Sequence, residues 1–217
     1  MKNLNHCLWL LSCFLFFSCT EKSYEKTQDG IIVSLQQKQP ADAGKVRLQV
    51  VDDKVIRVSA TPGKQFSQEE SLIIVPRTGS QTPFSVEEAE QLLTLKTAAL
   101  QVSVHRNTGE VVFADKNGNA ILRENAGGGK TFTPVTVEGT NAYAMRQVFE
   151  SPDDEAFYGL GQHQSDEFNY QGKNKTLFQY NTNVSLPFIL SNKNYGILLV
   201  NNSLSRLRDP REYAQLI

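Results

Sequence analysis

Beyond residue 19 the chain has neither cysteine nor tryptophan: Cys7, Cys13, Cys19 and the single Trp9 all fall in the opening stretch MKNLNHCLWLLSCFLFFSC. The rest of the chain therefore has no thiol for a disulfide, a cysteine metal site or a cysteine nucleophile, and its fold must rest on an apolar core. Histidine is almost as scarce, since only His105 and His163 follow that stretch. A surplus of one charge is also lacking: 22 Lys and Arg stand against 23 Asp and Glu. With no basic block of the kind a phosphate backbone attracts, nucleic acid is not an expected partner. Gly159-Leu160-Gly161 lacks the third glycine of a dinucleotide fingerprint and the Lys-Ser/Thr of a P-loop, and no G-x-S-x-G elbow occurs. No cofactor is expected.

What is there begins with an apolar run, Leu8 to Phe17, preceded by Lys2 and followed by Cys19, Thr20, Glu21 and Lys22. A membrane-spanning helix needs about 17 to 25 apolar residues. The shorter run with these flanks reads as a secretory signal. It resembles a bacterial lipoprotein signal, with Cys19 as the acylated residue and Cys13 as a poorer choice that would strand FLFF on the mature end. The expected division is 1–18 signal peptide, 19–30 lipidated tether (TEKSYEKTQDG is polar without apolar period) and 31–217 a single β domain. The lipid would hold the protein on a membrane of the bacterial cell envelope.

From there the punctuation is that of strands. Val46, Leu48 and Val50 alternate with polar neighbours, and Asp52-Asp53 turns the chain into KVIRVSA. LQVSVHR, Asn107-Thr108-Gly109, EVVFADK, Asn117-Gly118 and AILRE then predict a three-stranded meander over residues 99–124. TPVTVEG, AYAMRQVFE, KTLFQYN, LPFILS and YGILLVN supply further short strands. One segment resists: in SVEEAEQLLTLKTAAL, Val86, Ala89, Leu92, Leu93 and Leu100 are spaced as on a helix. Many short strands with Gly and Asn turns indicate an all-β antiparallel sandwich, and such a fold names no function by itself.

The densest chemistry is FYGLGQHQSDEF, residues 157–168. His163, Asp166 and Glu167 carry groups for acid–base work, and would converge only from a loop, because consecutive strand residues point to opposite faces. No metal site is expected from so few imidazoles. Asp153-Asp154-Glu155 after Pro152 reads as a solvated turn. Eight aromatics (Phe157, Tyr158, Phe168, Tyr170, Phe178, Tyr180, Phe188, Tyr195) fall within forty residues. Aromatic faces suit sugar rings, although most of these side chains are expected to fill the core.

QLLTLKTAALQVSVHRNTGEVVFADKNGNAIL, FESPDDEAFYGLGQ and QYNTNVSLPFILSNKNYGILLVNNS, in that order, resemble the N-terminal β-sandwich of glycoside hydrolase family 31, which includes α-glucosidases and α-xylosidases and whose sandwich is galactose mutarotase-like. The ending DPREYAQL is similar to α-xylosidase-like members. The resemblance implies strands over residues 91–104, against the helical spacing. It also implies retaining hydrolysis by two aspartates about 5 to 5.5 Å apart, both in a (β/α)₈ barrel that follows the sandwich, with the nucleophile in a Trp-x-Asp-Met-type motif. Neither aspartate can be carried over to this chain. A family loop that shapes the sugar subsites corresponds to Asn181, Thr182 and Asn183, and His163 and Asp166 join them as candidate contacts to an oligosaccharide or to the barrel. Gln162 departs from the glutamate frequent at its position. The expected function is a non-catalytic, substrate-site-shaping domain of a retaining α-glycosidase. The alternative is a stand-alone carbohydrate-binding lipoprotein, and mutarotase-like chemistry, limited to His105 and His163, ranks third.

Overall fold

The computed structural model describes residues 24–75, 82–201, 203–209 and the backbone of 215–216. Cys19, residues 1–18 that were expected to be a signal peptide, and residues 210–214 of DPREYAQL lie outside the described residues. Among those described there is no helix, and every strand pairing is antiparallel.

A four-stranded meander comes first, made of β1 (Tyr24–Thr27), β2 (Gly30–Ser34), β3 (Lys45–Asp52) and β4 (Val55–Thr61). The boundary drawn at residue 31 therefore cuts the first hairpin. Tyr24 pairs with Val33 and Thr27 with Gly30, so part of the polar stretch taken for a tether is an edge strand. Its polarity reflects exposure on that edge, while Tyr24 packs against the core. Gly30 is needed there because a Cβ would lie 1.9 Å from the Leu48 carbonyl oxygen.

A five-stranded meander faces it: β5 (Ser85–Glu88), β6 (Leu92–Lys96), β7 (Leu100–His105), β8 (Val111–Asp115) and β9 (Ala120–Arg123). The segment with helical spacing is thus three strands. Leu93, Leu95, Val102 and Val104 enter the core at period two, while Leu92 points outward. The turn between β6 and β7 is fixed by Thr97, whose Oγ1 accepts from the Leu100 amide (3.0 Å) and donates to the Asp53 carbonyl (2.6 Å). The two sheets close on one core of Ile31, Val33, Val46, Leu48, Val50, Leu93, Leu95, Val102, Val104 and Val111, which makes the expected sandwich.

A ribbon of β10 (Lys130–Val137) and β11 (Thr140–Gln147) follows, rooted in that core by Phe132. The remaining strands are β12 (Phe149–Glu150), β13 (Phe157–Gln162), β14 (Asn174–Leu177), β15 (Val184–Ser191), β16 (Tyr195–Leu198), β17 (Ser205–Arg208) and β18 (Gln215–Leu216). The sheet β13-β15-β16 and the pair β14-β17 enclose a second core of Phe157, Leu160, Tyr170, Leu177, Ile189 and Leu207.

Candidate functional site

FYGLGQ is β13, and HQSDEF begins the loop after it, so the stretch is a strand entering a glycine-shaped turn. Between the pairs Gly159–Ile189 and Gly161–Ser185, the single residue Leu160 faces three residues of β15, Leu186 to Phe188. Gly159, Leu160 and Gly161 all have positive φ, at 102°, 62° and 93°. A Cβ on Gly161 would lie 2.0 Å from the Val184 carbonyl oxygen, which leaves only glycine for that approach. Pro187, with no N–H to give, fits the irregular register.

The bulge turns Leu160 into the second core and leaves its carbonyl to accept from His163 Nε2 (2.9 Å). The imidazole thereby ties its loop to the bulge. The next residue, Gln164, donates its amide to Asn183 Oδ1 (3.2 Å), and the Asn183 amide donates to the Tyr180 carbonyl (2.9 Å). Asn181 adopts a left-handed φ of 51° in the same turn. The structure therefore places His163, Asp166, Asn181, Thr182 and Asn183 on two touching loops. Asp166, Asn181 and Thr182 are exposed. Glu167 takes no part in an acid–base pair, since its carboxylate meets Lys175 Nζ at 3.3 Å and the same ammonium donates to Ser165 Oγ. His105 lies on β7 in the five-stranded sheet, accepting from the Asn107 amide, and the two histidines share no element. Among the described residues no group of three or more His, Cys, Asp or Glu is arranged to hold a metal ion.

Two expectations fail on burial. Asp153 and Asp154 are solvated, but Glu155 is buried and its carboxylate accepts from Ser191 Oγ. Burial, with Glu155 beside it, holds the Tyr195 hydroxyl well above the usual phenol range. Glu155 thus pins the turn before β13 to β15 and β16. The aromatics are also less internal than expected: only Phe157 and Tyr170 are buried, whereas Phe168, Phe178, Tyr180 and Phe188 are exposed. Phe168 rests on Tyr158 with ring centroids 5.2 Å apart.

The feature that sequence reasoning missed is on β15. Val184, Leu186, Phe188 and Leu190 alternate along one face and are 46, 54, 38 and 45% exposed, while Ser185, Pro187, Ile189 and Ser191 face inward. The signal was the strict alternation of VSLPFILS, whose more apolar phase, Val184, Leu186, Phe188 and Leu190, would be assigned to the core and instead faces outward. Leu198 on β16 extends the outward patch. A shallow cleft of about 410 Å³ opens in it, lined by Gly159, Leu160, Gly161, Gln162, Val184, Leu186 and Phe188. With Gln162 as its one polar side chain, this cleft is built to bury apolar surface and not to read sugar hydroxyls.

Comparisons with known proteins agree with the architecture. Residues 45–206 match the family described as the glycosyl hydrolase 31 N-terminal galactose mutarotase-like domain. An α-xylosidase of Saccharolobus solfataricus is 29% identical over 171 residues, covering 75% of this chain and 23% of that protein. The crystal structure of a GH31 α-xylosidase from Xanthomonas citri superposes with a TM-score of 0.79 at 45% identity, covering 86% of this chain and 20% of that one. A GH31 α-xylosidase from a soil metagenome, solved with xylose, shares the fold at 23% identity and a TM-score of 0.71, covering 89% of this chain and 30% of that one. The chain spans between a fifth and a third of the length of these relatives. With a mutarotase-like sandwich and that match, the chain belongs to the glycosyl hydrolase 31 N-terminal domain family.

Proposed function

We propose that the chain serves as the non-catalytic N-terminal domain of a retaining α-glycosidase of α-xylosidase or α-glucosidase type, acting on oligosaccharides and docked on a catalytic barrel of the same polypeptide. The observation that carries this reading is the outward apolar row Val184, Leu186, Phe188 and Leu190. A free-standing binding module has no reason to keep such a row in water, and contiguous exposed apolar surface marks an interaction site. The occupant follows from length: in the relatives named above, 70 to 80% of the polypeptide lies outside the part this chain matches.

In this reading the loop carrying Asn181, Thr182 and Asn183, braced by the His163 loop, overhangs the barrel mouth. Its amide and hydroxyl groups hydrogen-bond sugar hydroxyls, while the bond cleavage belongs to the barrel. α-Xylosides are the first substrates to try, because two of the relatives at or above 29% identity are named as α-xylosidases. Cys19 carries the lipid that holds the protein in the bacterial cell envelope.

Reading the source DNA through and past the codon for Ile217 tests the proposal. Continuation into a barrel with a Trp-x-Asp motif supports it. The extended enzyme should then hydrolyse α-xylosides or α-glucosides, with a raised KM for Asn181→Ala and Thr182→Ala. A stop without a barrel overturns it in favour of the carbohydrate-binding lipoprotein, to be assayed by titration with xylo- and gluco-oligosaccharides. Incorporation of radiolabelled palmitate, lost in Cys19→Ser, checks the anchor.

A further inference from the structure

The ribbon β10-β11 stands apart from both cores beyond its root. The root is fixed: the Phe132 amide donates to the Ala41 carbonyl (2.8 Å), Thr131 bridges Asp42, and the Val148 amide donates to the Gly129 carbonyl (2.8 Å). From there, among the described residues, the two strands pair only with each other, in unbroken register from Lys130–Gln147 to Val137–Thr140. Eight residues of extended chain reach about 27 Å. A lone two-stranded ribbon is marginal in water, and this one exposes Tyr143 and Met145 by more than half.

Its two edges differ. The turn is Glu138-Gly139 with φ of 48° and 81°, the two-residue type I′ connection. Such a turn is closed by a pair that exchanges both hydrogen bonds, here Val137 and Thr140, and alternation then puts Pro134 and Tyr143 in a pair that does not. The nitrogen of Pro134 therefore faces outward in mid-strand, so the outer edge of β10 lacks a donor there and resists further pairing. The outer edge of β11 has no such block. Its sequence TNAYAMRQ contains no proline and no lysine, and Asn141, Tyr143 and Met145 aim their N–H and C=O groups outward.

We infer that the outer edge of β11 pairs antiparallel with β11 of a second copy of this chain, joining two ribbons into one four-stranded sheet about a two-fold axis at Tyr143. A strand edge paired with itself is complementary in its backbone groups. The side chains agree. With the axis at Tyr143, Ala142 lies across from Ala144 of the second copy, Asn141 across from Met145, and Arg146, the single charge on the strand, across from Thr140. No like charges meet, and the small alanines let the ribbons approach. The ribbon is rooted in the first core, whereas the apolar row of β15 covers the second, so this contact is separate from the one proposed for the barrel.

The test uses the full chain, wild type and two variants, in sedimentation velocity over a dilution series with amide hydrogen exchange read at Tyr143 and Met145. Ala142→Lys with Ala144→Lys sets lysine against lysine across the axis, and Ala142→Glu with Ala144→Lys sets glutamate against lysine. The expected result is a wild-type dimer that dissociates on dilution, loss of the dimer in the double-lysine variant and its return in the charge-paired variant. Protection of the two amides should follow the dimer. Self-association that leaves these amides unprotected runs through another surface, such as β15, and overturns the inference. So does a wild type that is monomeric throughout, or two variants that behave alike.

Discussion

Lys130 and Glu124 form a buried ion pair where β9 ends and β10 begins. The ammonium also donates to the Gly109 carbonyl, and Glu124 Oε2 accepts from the Val111 amide (3.0 Å). Burial pushes the Glu124 carboxyl up, against the pull of Lys130, and pushes the Lys130 ammonium down, against the pull of Glu124. Removing one partner leaves the other charge buried alone, so Lys130→Met should cost about 3 to 5 kcal/mol. The pH dependence follows from the sign. A carboxyl with a raised folded pKa contributes stability that is fully present below its unfolded value, 4.5, and is lost as pH rises through the folded value. Without Lys130 that value rises further, so urea titrations should find the variant closest to wild type near pH 4 and furthest from it near pH 8. A penalty independent of pH would mean that the carboxylate finds another cation. Asn183 poses a smaller question at the same scale. Asn183→Ala should lose about 1 kcal/mol and speed exchange at the Gln164 amide, whereas Asn183→Asp keeps the acceptor and the protection.

At the scale of elements, β13 depends on two glycines for different reasons than the turns do. Gly118 and Gly161 both have positive φ, but a Cβ meets nothing within 4 Å at Gly118 and backbone oxygen at Gly161. Alanine at Gly118 should therefore cost only the left-handed backbone, about 1 to 2 kcal/mol. Alanine at Gly161 should add an overpacking penalty of about 1 to 3 kcal/mol. Equal melting temperatures for the two variants would mean that β13 can slide relative to β15. Much of this was legible beforehand. Asn117-Gly118 marked a hairpin within the meander of residues 99–124. The strands at residues 85–105 were not legible from periodicity, because Val86, Ala89, Leu92, Leu93 and Leu100 are spaced as on a helix, and Leu92, an exposed apolar residue beside Leu93, hides the period of two. Core placement of Leu93, Leu95, Val102 and Val104 opposite β2 and β3 decided between them.

At the scale of the molecule, the apolar face of β13-β15-β16 governs how the isolated chain behaves in solution. It should bind anilinonaphthalene sulfonate while fully folded. Leu186→Gln with Leu190→Gln should reduce that signal yet leave stability within about 0.5 kcal/mol, since both side chains already contact water. Unchanged dye binding would place the accessible apolar surface elsewhere. A ribbon that pairs with itself and a face that docks on a barrel make different demands: the first survives in this chain alone, whereas the second is satisfied only in a longer polypeptide.

Local patterns in the sequence determined the strand-rich class, most turn positions, the loop that joins His163 to Asp166 and, through three ordered motifs, the family. These depend on backbone preference and alternation, which act over a few residues. Only the tertiary structure decided which phase of an alternating strand faces the core. VSLPFILS offers Val184, Leu186, Phe188 and Leu190 or Ser185, Pro187, Ile189 and Ser191, and a core would be expected to take the first set. The chain buries the second because the bulge at Leu160 fixes the register of β15, and because Glu155, far off in sequence, accepts the Ser191 hydroxyl and makes its burial tolerable. A hydrogen-bonded partner 36 residues away leaves no trace in local periodicity.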